Sequence, residues 1–270
     1  MPASKISVNV SQGIATISLN EPHRLNALTP ADYDEFANSL RAVDKREDVV
    51  ATVWQANGKW FCAGTDVKKI ASDGNSDVPV QRSMRDCLIN GVVAANTDCT
   101  HAIYTHSKIL VAALNGPVMA FLGNFDLIYA VPGAWLNVGF PFLGISVEGG
   151  ASVSFVNRMG IAKANEVLLL NKKISASEML ECGFVNKIFP SKSTEEFHSA
   201  VHQHLKNELE NLVPASISVI KTLIKAGLND KNNFHAVNLR ESYAQAERFS
   251  SGIPAERFSK IAKKEIKHKL

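Results

Sequence analysis

Near the N-terminus, Lys5–Val10 and Ile14–Leu19 alternate apolar and polar residues with period two, and Gln12-Gly13 between them predicts a hairpin. Thr29 followed by Pro30 has the form of a helix N-cap and first turn, so a helix is expected to run to about Asp44. Val49–Gln55 and Lys108–Leu114 are short apolar runs bounded by turn residues, the pattern of buried strands. Asp126–Val131, Trp135–Val138 and Phe184–Phe189 add further strands. Between the strands, helical spacing covers the chain after Ser83, Gly149 to about Arg158, Lys163 to about Asn171, and Ser175–Cys182. Ser72 to about Cys99 is polar and aperiodic until Ser83. From Ser193 nearly everything reads as helix, with Pro214 and Pro254 at helix starts. Strands alternating with helices, followed by a helical tail, give an α/β class with domain boundaries at 1–192, 193–267 and a terminal tripeptide at 268–270.

Composition narrows the function classes. Of 270 residues, 46% are apolar and 20% charged, enough for a core and incompatible with a disordered or collagenous chain. Net charge is +3, too small an excess for a nucleic-acid binder. No apolar run approaches the roughly 18 residues of a membrane span. Cys62, Cys87, Cys99 and Cys182 show neither a CxxC nor metal-ligand spacing, which fits free thiols in a reducing compartment. His198, His202 and His204 fall on a polar helix face and are not read as a metal site. No phosphate-binding glycine motif of a nucleotide fold is present.

Three glycine-containing places remain. In Phe61-Cys62-Ala63-Gly64-Thr65-Asp66 a glycine follows a strand directly, a turn that can leave backbone N–H groups aimed at a ligand. An ordinary strand-to-helix turn has the same spacing. Asn115-Gly116-Pro117, with Ala120 and Gly123 beyond it, reads equally as a loop and a helix start. Glu148-Gly149-Gly150 places a carboxylate in apolar company, where burial would lift its pKa toward neutral and suit it to acid–base work. A solvated glutamate on a helix dipole is the plainer alternative.

Taken together and in this order, the three places resemble the enoyl-CoA hydratase/isomerase (crotonase) superfamily over nearly the whole chain. Asn20-Glu21-Pro22 with Leu25-Asn26-Ala27-Leu28 is similar to its N-terminal signature. Phe61–Asp66 is similar to its F-x-x-G-x-D loop, and Asn115-Gly116-Pro117 with Asp126–Ala130 to its central signature. Leu143–Gly150 is most similar to fungal peroxisomal Δ3,Δ2-enoyl-CoA isomerases. The resemblance implies a ββα spiral with a helical C-terminal region that packs subunits into trimers or hexamers.

It also implies a CoA thioester substrate, with no cofactor beyond that CoA. Thr65 would supply one oxyanion N–H and Glu148 the base that moves a proton from C2 to C4. Ala63, Gly64, Asp66, Gly116 and Ala120 would border the CoA path, and Lys260, Lys263 and Lys264 would either meet its phosphates or form a solvated face. The hydratase positions that carry carboxylates in this family fall at Phe121-Leu122-Gly123 and near Phe140 here, so a one-base isomerase is expected. The segment after Ala120 is some four residues shorter than in the family. A helix starting one turn later would make Phe121 N–H the second donor.

His268-Lys269-Leu270 is a conservative variant of a peroxisomal address, implying an import receptor as partner. The expected role is isomerisation in peroxisomal fatty-acid β-oxidation. An enzyme dedicated to a fungal secondary-metabolite acyl-CoA and a non-catalytic acyl-CoA-binding relative are the alternatives.

Overall fold

The computed structural model describes residues 5–66, 82–119 and 122–267. Strands β1 (Ile6–Ser11) and β2 (Ile14–Leu19) form the expected antiparallel hairpin. Gln12 and Gly13 both take the left-handed conformation that a two-residue hairpin turn requires. Helix α1 (Pro30–Asp44) starts at Thr29 with a full capping box, Asp32 returning a bond to the Thr29 N–H at 2.7 Å. Its Tyr33, Phe36, Ala37, Leu40 and Val43 recur at helical spacing and are buried.

Strands β3 (Ala51–Ala56), β4 (Ile109–Leu114), β5 (Leu127–Ala130) and β8 (Lys187–Ile188) extend the hairpin into a six-stranded sheet of order β1-β2-β3-β4-β5-β8. All pairings beyond β1–β2 are parallel. The main strands therefore add in chain order, as in a spiral.

Each turn of that spiral also contributes to a second, shorter ladder. Leu28 pairs with Thr65, Cys62 with Val118, and Val118 with Leu136. Strand β6 (Trp135–Leu136) then pairs with β7 (Ile174–Ser175). The turns approach closely at Gly116, where a Cβ would lie 2.0 Å from the Lys59 carbonyl oxygen. Only glycine fits there.

One sheet face buries Trp54, Ala112 and Ile128 with α1, and Trp54 stacks among Phe36, Phe61 and Phe125. The opposite face packs Val53, Val111 and Tyr129 against Phe197, Val201 and Leu205 of α6 (Thr194–Leu209). Helix α2 runs through Met84–Asp86, Cys87–Asp98 and Cys99–Thr105, the middle part wound in the wide π form. After a short helix α3 (Phe140–Leu143) comes α4 (Ala151–Leu168), interrupted at Gly160 as the Met159-Gly160 break predicts. The remaining helices are α5 (Ala176–Glu181), α7 (Pro214–Lys231), α8 (Phe234–Ser250) and α9 (Ile253–Ala262).

No described helix is long and apolar enough to cross a membrane. The expected strand at Phe184–Phe189 shrinks to Lys187–Ile188, because Phe184 and Val185 bond back to Met179 and close the end of α5.

Candidate active site

The loop Ala63–Asp66 is held from both sides. Ala63 N–H donates to the Leu25 carbonyl, Leu28 N–H to the Gly64 carbonyl, and Asp66 N–H to the Leu28 carbonyl. Asn26 braces the same region, donating to the carbonyls of Asn57 and Trp60. Arg24 pairs with the buried Asp66 carboxylate. In this parallel pairing the bonds run through Gly64 and Asp66, so Thr65 faces the other way. Its backbone N–H donates to no group among the described residues, on a partly exposed residue in a rigid loop. That is the arrangement an oxyanion donor needs. The Thr65 hydroxyl shares a 2.8 Å hydrogen bond with Tyr33 of α1.

Glu148 lies between α3 and α4, partly buried. It does not cap α4. That task belongs to Glu241 of α8, which accepts from Gly150 N–H at 2.7 Å and Ser152 N–H at 3.0 Å. Glu148 Oε2 instead accepts from the side-chain amides of Asn96 (α2) and Gln245 (α8), the latter at 2.7 Å. Oε1 has no partner among the described residues. Desolvation pushes the Glu148 carboxyl up to about 7, and the Glu241 charge adds to the shift. The two amide donors work against it. A group poised near neutrality takes and returns protons efficiently. The Tyr33 phenol is bonded to Thr65, and burial, then Cys62 and the Glu148 charge, hold its pKa well above the usual value.

The other sequence candidates fall out as follows. Ala63 and Gly64 belong to the Thr65 loop, and Gly116 is spent on chain approach to Lys59. Ala120, Phe121 and His268-Lys269-Leu270 lie outside the described residues.

The expectation of a helix beginning a turn after Ala120 is corrected. Leu122–Asp126 is a tight turn closed by Phe125 N–H on the Leu122 carbonyl, and it leads directly into β5. Arg158 of α4 satisfies the carbonyls such a turn leaves over. It donates to Gly123 and Asp126 at 3.1 and 3.0 Å, and also to Phe125 and Phe184.

Leu122 and Phe140, within and beside the segments where the resemblance would place hydratase carboxylates, are buried apolar groups. Cys62 is buried and its thiol is pushed up to about 12, which keeps it protonated. Lys260 is paired with Glu256, while Lys263 and Lys264 are exposed. His202 bonds Thr16 at 3.2 Å, against the sheet.

Sequence reasoning missed Tyr33, Asn96, Glu241 and Gln245. The available signal was Asn238, Glu241, Ser242 and Gln245 at helical spacing on α8, a polar stripe that reads as a wet face and is buried.

The sequence profile of the enoyl-CoA hydratase/isomerase family matches residues 9–258. The chain is 37% identical to a Δ(3,5)-Δ(2,4)-dienoyl-CoA isomerase of Pyricularia oryzae, over 95% of this chain and 96% of that one. It is 32% identical to a 3,2-trans-enoyl-CoA isomerase of Saccharomyces cerevisiae, over 98% and 97%. Among solved structures, a putative enoyl-CoA hydratase/isomerase from Acinetobacter baumannii superposes with a TM-score of 0.77 at 26% identity, covering 93% of this chain and 99% of that one.

Proposed function

The chain belongs to the enoyl-CoA hydratase/isomerase family and has its crotonase-type fold, and on that premise we propose that it isomerises a 3-enoyl-CoA to the trans-2-enoyl-CoA. The observation that carries this reading is the desolvated carboxylate of Glu148, one oxygen bound by two amides and the other open.

The Glu148 carboxylate removes a proton from C2, and the C–H electron pair spreads over the thioester oxygen and C4 as a dienolate. The Thr65 N–H donates to that oxygen. A donor placed where charge develops is worth about 3 kcal/mol of barrier. Protonated Glu148 then returns the proton to C4, and the double bond ends between C2 and C3. One carboxylate serves both carbons, so no second acid and no water are consumed.

The Pyricularia relative's name favours a second reading, in which a 3,5-dienoyl-CoA is the substrate. The same base and oxyanion site would act, with the charge spread two carbons further. A 2-enoyl hydratase is disfavoured by apolar Leu122 and Phe140.

We further propose a homotrimer or hexamer, supported by the exposed Val219, Ile220, Leu223, Ile224 and Leu228 of α7. Peroxisomal import for β-oxidation is proposed from the His268-Lys269-Leu270 sequence.

The test is a spectroscopic assay of the purified protein with trans-3-hexenoyl-CoA, with a 3,5-dienoyl-CoA, and with a 2-enoyl-CoA in water. Conversion of trans-3-hexenoyl-CoA to its conjugated isomer without hydration is expected. Turnover of the dienoyl substrate alone would transfer the assignment to the second reading. Tight acyl-CoA binding with no turnover of any substrate would overturn both, in favour of a specialised acyl chain or a binding protein.

A further inference from the structure

Helix α8 runs alongside the loop that carries Glu148, in the opposite direction. Arg248 donates to the Gly144 carbonyl at 2.9 Å. One turn earlier, Gln245 Oε1 accepts from Ser146 N–H at 2.8 Å and from the Ser146 hydroxyl at 3.1 Å. One turn earlier again, Glu241 accepts from Gly150 and Ser152. The backbone on both sides of Glu148 is thus fixed to one helix face.

Gln245 is 1% exposed, and the orientation of its amide follows from its partners. Ser146 N–H can only donate, so the atom facing it is the amide oxygen, and the NH2 faces Glu148 Oε2. Glu241, 6% exposed, keeps a second carboxylate behind the first.

We propose that Gln245 and Glu241 are positioning residues that act on the Glu148 base in opposite senses: Gln245 ties down Oε2 so that Oε1 carries the proton, and Glu241 holds the loop while opposing a second negative charge. This rests on the reading of Glu148 as the base. Among the described residues, the ionisable groups that act on or sense the Glu148 charge are Glu241 on α8 and Tyr33 on α1. Asn96 on α2 and Gln245 are its neutral partners. Removing the Gln245 donor disfavours the carboxylate, whereas removing the Glu241 charge favours it.

The experiment measures kcat and KM against pH, with thermal unfolding, for the wild type, Gln245→Met, Glu241→Gln and Glu148→Gln. Activity falls on the acid side because the base must be ionised. Gln245→Met is expected to move that limb to higher pH by about one unit and to lower plateau kcat about tenfold, with KM little changed. Glu241→Gln is expected to move the limb to lower pH by about one unit. Should Gln245→Met fail to fold, Gln245→Asn keeps the amide but retracts it by one methylene, and the same upward shift is expected on a smaller scale.

Limbs that stay in place while melting temperatures fall would show a merely structural role and overturn the proposal, as would shifts of the same sign. Wild-type turnover by Glu148→Gln would instead overturn the base assignment, separating that failure from this one.

Discussion

At the scale of single residues, the account depends on Glu148 being buried enough to titrate near neutrality yet open on one oxygen. With the carboxyl pushed to about 7, the acid limb of kcat/KM should lie near that value. Glu148→Gln keeps an oxygen that can accept from Asn96 and Gln245, so the fold should survive while kcat falls about 10²–10⁴-fold. Its stability should respond to pH with a definite sign. A carboxyl whose native pKa exceeds its unfolded value stabilises the fold at low pH, and that contribution is lost as pH rises through about 7. The Gln variant should therefore melt at a higher temperature than the wild type at pH 8, by calorimetry.

His106 has the opposite sign. It is buried, bonded to Thr52 at 2.8 Å, and lowered to about 4 by desolvation, against an unfolded value of about 6.5. Its contribution is complete above about 6.5 and is lost as pH falls toward 4. Because the Glu148 contribution grows over much of the same window, the signature is a difference: relative to the wild type, His106→Gln should gain melting temperature steadily as pH falls from about 6.5 toward 4.

At the scale of elements, the unusual feature is the turn Leu122–Asp126, held by one half-buried guanidinium. Arg158→Met removes donors from several partly buried carbonyls at once and should cost about 3 kcal/mol or more in a denaturant titration. A change under 1 kcal/mol would show that the turn is held in some other way.

The same region shows where sequence is legible and where it is not. The hairpin, the Thr29 cap, the Gly160 break and the buried strands follow from local periodicity and turn chemistry, and all are present. The Thr65 loop and Glu148 are recognisable because their glycines are local and the resemblance is carried by contiguous motifs. The Arg158 anchor, Asn96 and Gln245 act across long stretches of chain, and nothing in their immediate neighbours distinguishes them from solvated polar residues. Helix α8 is the clearest case. Its stripe of Asn238, Glu241, Ser242 and Gln245 is buried because the Glu148 loop offers matching donors and acceptors, a fact of tertiary packing.

At the scale of the whole molecule, the spiral of parallel strands carries the Thr65 loop, Tyr33 of α1 is bonded to Thr65 and senses the Glu148 charge, and α8 stands behind that carboxylate. The outward apolar face of α7 belongs to the same scale. Light scattering should return a mass near three or six times 29.4 kDa, and Leu223→Lys with Ile224→Lys should yield monomers.

The central claim is that one carboxylate carries one proton from C2 to C4. The most direct measurement is turnover of a C2-deuterated 3-enoyl-CoA by the wild-type protein in ordinary water, with mass-spectrometric location of the label. The account commits to return of the proton before the carboxyl exchanges with water, and so predicts deuterium at C4 of the earliest conjugated product. Full conversion with deuterium absent from C4 in the earliest product would contradict it, because the proton removed and the proton delivered would then belong to different groups.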